Sequence, residues 1–138
     1  MFKKVILFLF IGFIYPQANP LKQCDNAKII SSLKKQIPIE IFKNMYELSG
    51  FKAQGIDYES YEKSMKEMAK HYGKTNYTDM IEINSISNFV LNSDSCMVMV
   101  NAILKGENRK GLWSVTYKVF SANKVKISEL AYVNGDFK

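Results

Sequence analysis

A chain of 138 residues with 19 Lys+Arg against 13 Asp+Glu carries a formal charge of +6, and 47% of it is hydrophobic against 23% charged. With only 3 Pro and 7 Gly but 9 Phe, 8 Tyr and 1 Trp, it holds the bulky apolar material of a folded domain, which excludes collagen-like and disordered classes. The length is that of one domain and excludes a multidomain enzyme, while 2 Cys and 1 His are too few to build a metal cluster.

Lys3 and Lys4 precede an unbroken apolar run from Val5 to Tyr15, which Pro16 and Gln17 end. A run of this length matches the core of a secretory signal peptide and falls short of the ~20 residues of a membrane-spanning helix. The reading is a signal peptide over residues 1–18, cut after Ala18, with no retained membrane span, and a single α+β domain over residues 19–138. Cys24 raises lipid attachment as an alternative. Leu21-Lys22-Gln23 weighs against it, because lipoprotein signals carry small residues there. An exported chain enters an oxidising compartment, secreted or periplasmic, where Cys24 and Cys96 pair by default; two separate thiols are the alternative.

Loss of residues 1–18 removes Lys3 and Lys4 and lowers the charge from +6 to +4. The remaining lysines are scattered, and Arg109 is the only arginine. A mild excess of that kind reads as a solvated basic surface and predicts no nucleic-acid partner, since planar bidentate contacts to phosphate and base need arginine.

From Asn26 to Gln36, Ala27, Ile30, Leu33 and Ile37 recur at helical spacing, with Asp25 or Asn26 as cap. Pro38 then predicts the start of a second short helix with Ile39, Phe42, Met45 and Tyr46 on its apolar side and Gly50 as its stop. Residues 51–56 read as loop. Asp57 caps the strongest helix, whose stripe is Tyr58, Tyr61, Met65, Met68, Ala69 and Tyr72 and whose end is Gly73.

Beyond Gly73 the period changes to two. Tyr77, Asp79, Ile81 and Ile83 share one face of a first strand that continues irregularly through Ile86 and Phe89. Cys96 to Leu104 is apolar on both faces and predicts a central strand. The polar segment Gly106 to Gly111 connects it to a strand in which Trp113, Val115, Tyr117 and Val119 alternate with polar residues. Ser121-Ala122-Asn123 turns the chain into Val125, Ile127, Glu129, Ala131 and Val133. Helices followed by a meander predict an α+β fold, with the N-terminal helices packed on one face of a curved antiparallel sheet of about four strands.

The helix Tyr58 to Tyr72 followed by Ile81 to Asn92, Cys96 to Gly106, Gly111 to Phe120 and Lys124 to Val133 resembles the nuclear-transport-factor-two-like, cystatin-related superfamily. The resemblance lies in the order of elements and the Trp-bearing strand, not in a fixed motif. It implies a cone-like hollow between helices and sheet, used in relatives as an isomerase or dehydratase pocket or as a site for a ligand or partner. Such relatives often carry another strand near residues 51–56, where this sequence has a loop.

An isomerase-type site needs a carboxylate in an apolar hollow beside a proton donor. The candidates are Glu129, between Ile127 and Ala131, Asp79, on the face of Ile81, and Tyr117, with Trp113 on the same face. An inward Glu129 would be a pocket residue or the partner of a lysine; a strand-end carboxylate hydrogen-bonded at a bulge or rim is the plainer reading. His71, near a helix C-terminus, complements the helix dipole and lacks the partners of a catalytic set. No His, Cys or carboxylate spacing predicts a metal site, and no cofactor is expected. Asn76-Tyr77-Thr78 matches a glycosylation acceptor. Met65, Met68, Met97 and Met99 read as gap-filling core or as an adaptable binding surface. If Met97 and Met99 face away from the helices beside Ile103, the outer sheet face becomes a candidate interface for a protein partner or a homodimer.

Two functions follow as expectations. The first is an exported, non-catalytic binding or protein-interaction domain, of which an inhibitor or immunity-type protein is one form. The second is a pocket protein for a small apolar ligand, or an isomerase-like enzyme using Glu129 or Asp79. A closed hollow lined by Tyr117 and Glu129 favours the second, and a filled interior favours the first.

Overall fold

The computed structural model describes residues 23–137; the expected signal peptide lies outside them. Asn26 opens α1 (Ala27–Leu48) by accepting a hydrogen bond from the Lys28 amide at 2.8 Å. The helix runs 22 residues without a break, so the expected division at Pro38 is corrected. An internal proline loses one backbone hydrogen bond and crowds the carbonyl four residues back, at a cost of about 3 kcal/mol. Ile29, Leu33, Ile37, Ile41 and Phe42 are each almost fully buried along this one helix. Every such side chain returns about 1.5 to 3 kcal/mol, so packing outweighs the local penalty. The same continuity moves the buried stripe: Ile29 replaces Ala27 and Ile30, and Ile39 stands 38% exposed while Ile41 takes the core position.

Ser49 then accepts from the Phe51 amide and starts the single turn α2 (Gly50–Ala53), where a loop was expected. Asp57 caps α3 (Tyr58–His71) as its position predicts, accepting from the Ser60 amide at 2.8 Å. Gly73 has a φ of +70°, and the Lys74 amide reaches back to the Ala69 carbonyl at 2.9 Å, closing the helix in the left-handed manner that glycine permits. Residues Tyr77–Met80 form a 3-10 turn and not the start of a strand. Asp79 therefore sits in a turn, exposed, and does not share a strand face with Ile81.

The strands β1 (Ile81–Asn92), β2 (Ser95–Leu104), β3 (Arg109–Ser121) and β4 (Lys124–Gly135) form an open antiparallel sheet in the order β1-β2-β3-β4. The architecture is α+β, with the helices N-terminal to the sheet. One face of β2 and β3 is buried: Cys96, Val98, Val100, Ala102 and Leu104 alternate with half-exposed or exposed neighbours, as do Trp113, Val115 and Tyr117. These side chains join the α1 stripe in one core that extends from Cys24 to Phe137. Long-range bonds fasten helix to sheet: the Gln36 amide donates to the Val125 carbonyl at 3.0 Å, and the Trp113 indole N–H donates to Asn44 Oδ1 at 3.1 Å. Cys24 and Cys96 are joined in a disulfide, tying the segment before α1 to β2.

The edge strands are irregular. The pairing of β3 with β4 slips between Thr116 and Tyr117, whose partners are Glu129 and Ile127. One extra residue, Ser128, inverts the alternation along β4. Val125 and Ile127 precede the slip on the core side, and Leu130 and Tyr132 follow it there, packed against the buried cluster.

Candidate functional site

The space between helices and sheet is occupied by side chains. Trp113 and Tyr117 are both 0% exposed, and the Tyr117 hydroxyl donates to the Cys24 carbonyl at 2.7 Å. Burial holds this phenol well above the usual tyrosine range, so it stays protonated. Among the described residues no carboxylate, amine or imidazole is buried. The four residues that sequence reasoning places in a hollow are thus separated. Trp113 and Tyr117 fill the core, Glu129 lies opposite Thr116 on the outer sheet face and is exposed, and Asp79 lies at the surface of the 3-10 turn. The bulge at Ser128 is the physical reason for the position of Glu129.

An open groove of about 460 Å³ lies instead at one end of the core, between the end of α1, α2, α3 and the β2–β3 hairpin. Its apolar lining includes Met45, Leu48, Phe51, Met65 and Met68. Leu48 and Phe51 are each 45% exposed. Tyr61 forms part of the wall and packs against Tyr46, Tyr58 and Phe51 with ring centroids 5.4 to 6.0 Å apart. Burial raises its phenol to about 12, which leaves a neutral hydroxyl in an apolar setting. At the rim, the Arg109 guanidinium lies 4.7 Å from the centroid of the Phe137 ring and pairs with Glu107 at 3.2 Å. Its Nε and Nη2 donate to the Asp136 carbonyl at 3.1 and 3.0 Å, which fixes the cation in place.

The four methionines read together in the sequence divide between two surfaces. Met65 and Met68 line the groove, whereas Met97 and Met99 pair with Thr116 and Ser114 on the outer sheet face. Ile103, paired with Lys110, shares that face, and all three side chains are half-buried. Serines and an asparagine interrupt the apolar positions, as in the bond from the Asn101 amide to Ser85 Oγ at 3.1 Å. Sequence reasoning missed the groove. Its signal was present in Phe51, a large apolar residue in a segment read as loop, and in Met65 and Met68 on one helix stripe; the contribution of Arg109 and Phe137 had no local signal.

His71 is exposed at the end of α3, and no group of three metal-ligating side chains occurs among the described residues. Asn76 precedes the 3-10 turn and is exposed. No described helix is long and apolar enough to cross a membrane. The disulfide fits an oxidising compartment. The chain matches no family model, no curated protein and no solved structure.

Proposed function

We propose that the chain is an exported protein-interaction domain, with an inhibitor or immunity-type protein as its concrete form. The observation that carries this reading is the filled interior. An isomerase-like site would need a carboxylate inside an apolar hollow, and here Trp113 and Tyr117 occupy that volume while Glu129 and Asp79 face solvent. What the molecule offers outward is apolar surface, the methionine-lined groove above all. Methionine adapts its shape to a partner at little cost, and exposed Leu48 and Phe51 supply area to bury. Export rests on the N-terminal run Val5 to Tyr15 together with the disulfide.

The test is affinity capture from the native envelope with residues 19–138 as bait, beside the variant Phe51→Asp, whose side chain is outside the core. A partner retained by the parent and lost by the variant supports the reading. A bait that stays monomeric in sedimentation and retains nothing, or a partner held equally by both proteins, counts against the groove as the contact. A self-associating bait would place the interaction between copies of the chain.

A further inference from the structure

Among the described residues, six cationic side chains are matched by a carboxylate: Lys43, Lys52, Lys66, Lys70, Lys118 and Arg109. A second open hollow of about 660 Å³, beside the middle of α1, is lined by Lys34, Lys35, Lys74 and Lys105 together with Asp79 and Glu82. None of these four lysines makes an ion pair among the described residues, although two carboxylates share the lining. They come from separate parts of the fold. Lys34 and Lys35 stand on α1, beside the buried Pro38. The Lys74 amide is bonded to Ala69 at the end of α3, and the Lys105 amide donates to the Met80 carbonyl at 2.8 Å. Lys74 and Lys105 are half-buried, so their stems leave the surface from fixed backbone. Tertiary structure thus gathers into one concave surface a positive charge that the sequence disperses.

We infer that this lysine-lined hollow is the docking surface for an acidic segment of the protein partner. Charge complementarity selects the occupant. Among the described residues that line it, the hollow has no aromatic side chain on which a base could stack and no arginine. Its concave form does not suit the flat surface of an anionic membrane. An acidic peptide segment satisfies the four amines, and a hydroxyl or basic residue within it answers Asp79 and Glu82, which thereby set its register. The inference rests on the interaction reading above. If capture succeeds while the hollow proves inert, the inference fails and that reading stands.

The test uses a short fluorescein-labelled poly-glutamate peptide, titrated by anisotropy at low salt with residues 19–138. The expected result is saturable binding that weakens as salt rises, and that weakens about tenfold in Lys34→Glu/Lys35→Glu and again in Lys74→Gln/Lys105→Gln. The variant Lys110→Glu/Lys126→Glu, on the outer sheet face, makes the same charge change as the first and stays within about twofold of the parent. Equal losses in the two charge-reversal variants would mean attraction to net charge alone and would overturn the inference. So would the absence of binding, or tighter binding of a single-stranded oligonucleotide or of anionic lipid vesicles than of the peptide. Amide shifts on titration should centre on Lys34, Lys74, Glu82 and Lys105, and shifts centred elsewhere would relocate the site and reject it.

Discussion

Tyr117 joins the core to the covalent anchor, because its hydroxyl donates to the carbonyl of Cys24, itself 0% exposed. Tyr117→Phe leaves that carbonyl without its partner in a place water does not reach. It should cost about 1 to 2 kcal/mol in urea unfolding, and an unchanged midpoint would mean that the bond contributes nothing. The tyrosines also set a pH limit. Burial raises Tyr61 to about 12 from 10.0 and raises Tyr58, Tyr77 and Tyr117 in the same direction; at Tyr77 the bond to Glu62 adds to the shift. Between pH 10 and those higher values, the unfolded chain releases phenolic protons that the folded chain keeps. Stability is therefore fully present below pH 10 and falls as pH rises through about 12. Melting temperatures recorded across this window should drop, and Tyr61→Phe should drop less steeply than the parent. Parallel curves for the two proteins would contradict the assignment to Tyr61.

Helix α1 shows a local rule overridden by packing. Residues 26–37 carry helical periodicity, and the only signal against continuing is Pro38. Pro38→Ala restores an amide facing the Lys34 carbonyl and recovers about 3 kcal/mol of helix preference, less about 1 to 2 kcal/mol for the buried ring. The variant should be more stable by about 1 kcal/mol in urea unfolding; destabilisation would show that Pro38 holds a bend the core requires. Strand β4 shows the opposite case, in which a pattern is clear and its phase is wrong. Val125, Ile127, Ala131 and Val133 lie at even spacing, and by alternation alone Glu129 would share their side, although a bulge or rim position is the plainer reading of a carboxylate there. The bulge at Ser128 turns Glu129 out and brings Leu130 and Tyr132 in. A bulge leaves no mark in composition, since it depends on how the neighbouring strand twists against the helices.

On the scale of the molecule, the disulfide closes a sequence separation of 72 residues, from ahead of α1 to β2. Loop-closure entropy values such a link at about 4 kcal/mol, a large share of the roughly 5 to 15 kcal/mol that stabilises a domain. Cys24→Ser/Cys96→Ser, or reductant alone, should lower the melting temperature markedly, and a reduced protein that melts with the oxidised one would refute the estimate. The α+β class, the four strands and the capped helix at Asp57 were legible in the sequence, because each depends on periodicity and on residues adjacent in the chain. The two Cys could be paired by compartment and count. The groove at Met65 and Phe51, the inward turn of Leu130 and Tyr132 and the gathering of Lys34, Lys35, Lys74 and Lys105 were not legible. Those depend on contacts between distant segments and on one-residue slips in strand pairing, whose energy comes from packing and is not written in any local pattern.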